Sequence, residues 1–491
     1  MKHTLCDVAA LLLFACHLGA GQAQSPSLPA TPAGRQFEAW LRSLNAGDAA
    51  DMKRFIQDNF APSFLENFPL QEHVDIHASV RGDTGGLLLK KVEDSKDHEI
   101  AVTCEAKQTG AFFRVMMQVE SAPPHKISGV GIMTGPGPSR AGPRVPMSDE
   151  EIVRELEAHL EKLVTADRFS GAVLVAKNGL PLFRKAYGLA HQGFQVPNRI
   201  DTKFNLGSMN KMFTAVAVAQ LAQQGKLAFD DTVGKHLPDY PNKTVAEKVT
   251  IHQLLTHTSG LGTYFNRQYQ EASKTLYRAI QDYYPLFAGE PLSFEPGQKF
   301  QYSNSGFMLL GAIVERVSGQ EYFDYVREHV YKPAGMVNSD CYELDRDIPN
   351  LAFGYTNTGP DGKPRAGARW NNLFLHVVKG GPAGGGYSTV EDLLRFAEAL
   401  RSHRLLDRTH TELVLAGKVE TRMGEGKYAY GFFDEVVEGE RIVGHGGGFP
   451  GISSQLDIYL NSGYTVAVMS NYDGGAQLVN SRIRELLSAH R

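Results

Sequence analysis

The stretch "FNLGSMNKMFTAVAVAQLAQQGKL", Phe204 to Leu227, decides how the rest of the chain is read. It has the look of a buried helix, yet its first turn carries Ser208 and, three residues on, Lys211. A free serine hydroxyl is a poor nucleophile and needs a base within hydrogen-bond reach. Positions i and i+3 of a helix lie on one side, one turn apart, so Lys211 can approach Ser208. Met212, Phe213 and Val216 would keep the amine partly desolvated, as a base requires. Gly207 permits a sharp entry into the helix, whose N-terminus would stabilise negative charge developing beside the serine. Serine at a helix start is equally at home as a cap, and Ser-x-x-Lys recurs by chance in long chains. The pair alone leaves both readings open.

Around this helix the chain is mostly helical, and strands flank the helical part. "GAVLVAKNGLPLFRKAYG" reads as a hairpin about Asn178-Gly179, a type I′ signal. Strands return in "YAYGFFDEVVEGERIVGH" and "ISSQLDIYLNSGYTVAVMSN", followed by an amphipathic helix through Leu478, Ile483, Leu486 and Leu487. Ser148 with Glu151 forms a capping box before a helix carrying Ile152, Leu156, Leu160 and Leu163. The pattern predicts an α+β domain: one antiparallel sheet built from distant segments, with a large helical insertion over one face.

At 491 residues the chain is long enough for two or three domains. "GPGPSRAGPRVP", Gly135 to Pro146, marks the clearest boundary, giving a linker over 135–147 and a C-terminal domain over 148–491. Before it, Phe37, Trp40, Leu41 and Leu44 recur at helical spacing, Gly47 and Asp48 break the pattern, and Met52, Phe55 and Ile56 resume it. Four strands follow from Gly86: "LLLKKVEDS", "EIAVTCEA", "AFFRVMMQVES" and "KISGVGIMT". Residues 35–134 therefore read as a small α+β domain with helices packed on one face of a meander. His73, Asp75 and His77 alternate in "EHVDIHAS", which predicts solvated polar residues on one face of a strand.

The N-terminus is of another kind. Lys2 and His3 precede the apolar run Val8 to Leu18, and Gly21 and Ala23 fit the small-residue rule before a cut at Gln24. Residues 1–23 read as a signal peptide, so the mature protein is expected in the periplasm or outside the cell. A lipid anchor on Cys16 is the rival reading, and Phe14 fits its pattern poorly. No run is long enough to span a membrane as a helix. Net charge is −4, which offers no basic footprint for nucleic acid. Beyond the leader only Cys104 and Cys341 remain, with no CxxC or Cys/His cluster, so neither a metal nor another cofactor is expected.

Several segments, in order, lift the Ser-x-x-Lys pair out of ambiguity. "NLGSMNKMFTA", "TIHQLLTHTSGL", "FEPGQKFQYSNSGFMLLGAIVERVSGQ", "KPAGMVNSD", "GGGYSTVEDLLRF" and "GHGGGFPGISS" resemble the serine β-lactamase-related hydrolases. That group holds class C β-lactamases, D-alanyl-D-alanine carboxypeptidases, esterases and D-aminopeptidases, and the resemblance covers Met147 to Arg491. It implies Ser208 as the acylated nucleophile, Lys211 as its activating partner and Tyr302 as a proton-handling group. It also implies Asn304 on the substrate's acyl side, and "HGG", His445 to Gly447, as the third motif beside the substrate. The backbone N–H groups of Ser208 and Gly448 would form the oxyanion hole.

Rival matches are weaker. Tyr240, Tyr264 and Tyr355 also begin Tyr-x-Asn triplets, and Lys379 and His191 begin third-motif look-alikes, but none has the flanking segments. "HTS", His257 to Ser259, reads as a structural turn. Class C enzymes usually carry lysine where this chain has His445, and neither "SDN" nor "KTG" occurs. An esterase, D-specific amidase or peptidase, or carboxypeptidase acting on a small molecule or peptide is thus favoured over a dedicated β-lactamase. A catalytically idle sensor that keeps the pocket is the competing class. Residues 35–134 more weakly resemble nuclear-transport-factor-2-like or SnoaL-like cones, a fold of enzymes and of binding modules, and no catalysis is assigned there. Oligomeric state is not legible.

Overall fold

The computed structural model describes residues 26–67, 69–135, 147–359, 367–421 and 426–488. The leader reading, with Cys16 and the cut before Gln24, lies outside them, as does most of the linker.

The first region begins with helices α1 (Pro32–Ala46), α2 (Ala49–Asn59), α3 (Pro62–Asn67) and α4 (Leu70–Thr84). Gly47 ends α1 in the left-handed conformation, φ 75°, which glycine adopts without a Cβ clash. An antiparallel meander follows: β1 (Leu87–Ser95), β2 (Glu99–Ala106), β3 (Phe112–Val119) and β4 (Ile127–Thr134). Phe37, Trp40, Leu44 and Ile56 bury against Ile100, Val102, Val115 and Met117, the inward face of a period-2 pattern.

One expectation fails here. His73, Asp75 and His77 are not on a strand but on α4, bounded by Pro69 and by Gly85 at φ 65°. The alternation that suggested a strand coexists with i, i+4 spacing. Burial of His73, Val74 and His77, with the two histidines against Trp40, Phe60 and Phe64, selects the helix. Asp75 stays outside and accepts from Gln71 Nε2 at 2.9 Å.

The second region opens with α5 (Asp149–Thr165), capped by the reciprocal Ser148–Glu151 pair. Strands β5 (Gly171–Lys177) and β6 (Leu180–Tyr187) follow, joined by Asn178 and Gly179 at φ 51° and 79°, as a type I′ turn demands. From the far end of the chain come β7 (Val419–Glu420), β8 (Lys427–Tyr428), β9 (Phe433–Val437), β10 (Glu440–Phe449), β11 (Ile452–Tyr459) and β12 (Tyr464–Ser470). They join the hairpin in one eight-stranded antiparallel sheet ordered β7-β8-β9-β10-β11-β12-β5-β6.

Both faces of this sheet are covered. Val173, Val175, Val466 and Val468 pack under α5 and the C-terminal helix Gly475–Ser488. Ala172, Leu174, Ala467 and Met469 face the helical insertion, whose centre is α6 (Asn210–Gln223) with α7 (Asn304–Ser318) beside it. The expected insertion accounts for one face only. The terminal helices close the other, because strands buried on both sides need two covers. Among the described residues, no helix is long and apolar enough to cross a membrane.

Candidate active site

Ser208 lies in a single 3-10 turn, Gly207–Met209, that runs into α6. Its hydroxyl caps neither the turn nor the helix, so the capping reading of this serine falls away. The turn is held by close backbone approach. Gly207 has φ +51°, and a Cβ there would lie 2.8 Å from Gly448 N and 2.9 Å from Gly447 Cα. The approach needs glycine on both sides: a Cβ on Gly447 would sit 1.9 Å from Leu206 O. Ser454 Oγ ties β11 to the same turn by donating to Leu206 O at 2.7 Å. Gly448 itself is exposed, and a Cβ there would meet nothing within 4 Å, so this glycine borders open space beside Ser208.

α6 is buried from Asn210 to Leu221, and Lys211 is buried with it at 0% exposure. Its Nζ lies 3.2 Å from Ser208 Oγ, 2.8 Å from Asn304 Oδ1 and 2.6 Å from Ala383 O. It also sits over the Tyr302 and Phe307 rings, 4.7 and 5.5 Å from their centroids. Burial holds the amine well below the usual lysine range. A neutral amine has two protons and one lone pair. Asn304 Oδ1 and Ala383 O can take the two protons, which leaves the lone pair for the Ser208 hydroxyl. Among the described residues Lys211 hydrogen-bonds to a hydroxyl, an amide oxygen and a backbone carbonyl and to no carboxylate, so its geometry suits a base rather than an ion pair.

The second wall is the start of α7. Ser303 caps it, accepting from Gly306 N–H at 3.0 Å and donating to Gly262 O at 2.7 Å. Tyr302 precedes the cap and Asn304 follows it, so one capping serine places both. Asn304 Nδ2 reaches Thr263 Oγ1 at 3.4 Å. Burial pushes the Tyr302 phenol up, and Ser208 acts in the opposite direction.

His445 differs from what its motif suggests. It lies on β10 with 2% exposure, and both ring nitrogens are engaged inside the protein. Nδ1–H donates to Gly446 O at 2.5 Å, and Nε2 accepts from the Tyr428 hydroxyl at 3.1 Å. Burial, with the Lys211 charge, lowers its pKa to about 3. The ring is neutral and presents no free donor to a ligand. The structure thus brings Ser208, Lys211, Tyr302, Asn304, Gly447 and Gly448 together, with His445 buried beside them, its ring centroid 6.3 Å from that of Tyr302.

Two contributors escaped the sequence reading. The run Gly380–Gly386 packs against the back of the nucleophile turn. Gly385 N–H donates to Gly207 O at 3.1 Å, Leu206 N–H to Gly386 O at 2.7 Å, and Gly386 N–H to Asn210 Oδ1 at 3.0 Å. Its density of glycines was the available signal, because backbones in contact leave no room for Cβ. Tyr428, the partner of His445, carried no signal at all. Three of the rivals are engaged otherwise: Lys379 pairs with Glu343 at 3.1 Å, His191 packs on Phe194 and Phe353, and Tyr355 accepts from Gln192 N–H. Among the described residues, no group of three His, Cys, Asp or Glu could hold a metal ion.

Comparison with known proteins gives a consistent picture. A family model described as Beta-lactamase matches residues 154–491. Penicillin-binding protein 4* of Bacillus subtilis (strain 168) is 30% identical over 334 residues, covering 65% of this chain and 71% of that protein. The crystal structure of a penicillin binding protein from Bacillus halodurans superposes with TM-score 0.60 at 33% identity, over 70% of this chain and 100% of that one. A D-stereospecific amidohydrolase from Streptomyces sp. aligns with TM-score 0.56 at 25% identity, over 68% and 98% of the two chains.

Proposed function

The chain belongs to the beta-lactamase family of serine hydrolases, and from that footing we propose that it works through an acyl-enzyme on Ser208. The observation that carries the reading is the buried, neutral-leaning Lys211 amine 3.2 Å from Ser208 Oγ. Ser208 Oγ attacks the substrate's acyl carbon as its proton passes to Lys211 Nζ, and negative charge gathers on the acyl oxygen. The Ser208 and Gly448 N–H groups receive that oxygen, Gly448 beside open space at the serine. The acyl-to-leaving-group bond then breaks, and the leaving group takes a proton relayed through Tyr302. Water reverses the sequence, freeing the acid and restoring the Ser208 hydroxyl.

The substrate is an ester, an amide or a D-amino-acid peptide rather than chiefly a β-lactam. A neutral His445 with both nitrogens engaged gives a ligand carboxylate no cationic partner there. Beyond Gly448, Phe449 stacks on Phe265 across the site, ring centroids 5.7 Å apart, and Phe265 lies two residues from the Thr263 that Asn304 touches. This end of the site therefore suits an uncharged, apolar acyl group.

The test is turnover of p-nitrophenyl esters, D-amino-acid amides, D-Ala-D-Ala peptides and nitrocefin, with fluorophosphonate labelling mapped by mass spectrometry. Label on Ser208 and hydrolysis of an ester or amide support the reading. Labelling that persists in Ser208→Ala overturns it, and a panel with no turnover favours an idle sensor. The reading includes export, with mature protein beginning at Gln24. N-terminal sequencing that finds Met1, or a lipid on Cys16, refutes that part.

A further inference from the structure

We infer that His257 is a positioning residue for the Tyr302–Asn304 segment, its Nδ1 holding the Ser303 backbone N–H while its ring supports the Tyr302 phenol. This rests on the acyl-enzyme reading above and extends it to a residue that the sequence marks only as a turn.

His257 is buried at 0% exposure and has φ +58°, the left-handed region that side-chain-bearing residues seldom enter. Its Nδ1 accepts from Ser303 N–H at 3.0 Å. Ser303 stands between Tyr302 and Asn304, so this one bond fixes the peptide that carries both. The main chain adds to the grip: Gln301 N–H donates to His257 O at 2.8 Å and Gly297 N–H to Thr258 O at 2.7 Å. The ring lies 4.2 Å from the Tyr302 ring centroid and 4.6 Å from that of Tyr428, the residue that engages His445. One imidazole therefore touches the second motif and the partner of the third.

The histidine satisfies the buried Ser303 N–H, but at a cost elsewhere. With Nδ1 accepting, the proton of the neutral ring sits on Nε2, which is buried and has no hydrogen-bond partner among the described residues. Burial, then the Lys211 charge, then His445 hold the ring neutral. A buried unmatched N–H and a left-handed backbone are both unfavourable, and such features persist where a site requires the geometry they enforce. What they enforce here is an acceptor at one point in space with a flat surface beneath Tyr302.

Two substitutions separate the acceptor from the ring. His257→Asn offers Oδ1 near the place of Nδ1 and tolerates the left-handed backbone. His257→Phe keeps a ring and loses the acceptor. With p-nitrophenyl acetate, the Phe variant should lose roughly 30-fold or more in kcat with KM changed by less than about 3-fold, the split expected when orientation rather than binding is lost. The Asn variant should recover most of that kcat. Near-UV circular dichroism and the unfolding midpoint verify that each variant is folded. If the Phe variant does not fold, His257→Ala, which also lacks the acceptor, replaces it. Normal kcat in a folded acceptor-less variant, or equal losses in folded Asn and acceptor-less variants, overturns the inference. Ser208→Ala is measured alongside. Activity that survives in it refutes the acyl-enzyme reading, whereas a dead Ser208→Ala beside a normal Phe variant refutes only the role of His257.

Discussion

Helices α4 and α6 both bury titratable side chains, and they use them in opposite ways. On α4, His77 accepts from Trp40 Nε1–H at 2.7 Å, and its Nδ1 donates to His73 O at 2.6 Å. Both nitrogens are spent inside the protein, one joining α4 to α1 and the other within α4, and His73 and His77 pack against Phe60 and Phe64. On α6, two of the Lys211 contacts are likewise internal, but the third is the hydroxyl of a partly exposed serine. Burial depresses the pKa in both places. What separates them is whether a lone pair is left over for a group that solvent and substrate can reach. A depressed pKa alone would have nominated both helices.

The largest expected effects lie on α6. Ser208→Ala should abolish labelling and turnover, and Lys211→Ala should reduce kcat by on the order of a thousand-fold or more, since an unactivated hydroxyl is a poor nucleophile. Near-normal turnover in Lys211→Ala would erase the distinction between the helices. Acid should act on the same group. Lys211 must be neutral to take the Ser208 proton, so activity should fall as pH drops through its lowered pKa, leaving the amine active well below the ordinary 10.5. A pH–rate profile whose limb stays near 10 would contradict the burial argument.

Effects should shrink with distance from that lone pair. Tyr302→Phe keeps the ring over Lys211 but removes the oxygen, so kcat should drop by roughly 100-fold with little change in unfolding midpoint. His445→Ala should cost only about 10-fold, because the imidazole serves Tyr428 rather than the substrate. A loss as large as that of Lys211→Ala would mean that His445 takes part directly.

Much of this was legible along the chain. The hairpin at Asn178-Gly179, the Ser148 capping box and the four-strand meander are each written in a few consecutive residues, where local sterics and alternation suffice. The proximity of Lys211 to Ser208 follows from helix geometry alone. Other features are set by residues far apart. The Gly380–Gly386 support meets the nucleophile turn only after folding, and the engagement of His445 depends on Tyr428 across the sheet. The third motif implies a histidine facing the substrate, while burial lowers the His445 pKa to about 3 and both ring nitrogens are engaged inside the protein. The α4 histidines were misplaced for the same reason. Alternation and i, i+4 spacing coexist in "EHVDIHAS", and partners elsewhere in the chain, Phe60, Phe64 and Trp40, the last 37 residues from His77, decide between them.

The smallest effect on activity, and the sharpest test of the contrast, belongs to His77. Its role is structural, so His77→Gln should leave kcat and KM unchanged while altering how the first region responds to acid. Burial lowers the folded-state pKa of His77 below 6.5. Between that lowered value and 6.5 the unfolded chain binds a proton that the folded chain does not. Stability from this group is therefore complete above 6.5 and is lost as pH falls toward the folded pKa. Glutamine can still accept from Trp40 Nε1–H and cannot titrate. Its variant should match the parent at pH 7.5 to within about 1 kcal/mol and lose less between pH 6.5 and pH 5. His73, also lowered by burial, keeps its own share, so the slope should flatten without vanishing. Hydrogen exchange of peptides spanning 70–84 follows this region alone. Coincident acid slopes in parent and variant would show that His77 is not what acid disturbs, and a fall in kcat would show that α4 is coupled to the chemistry on α6.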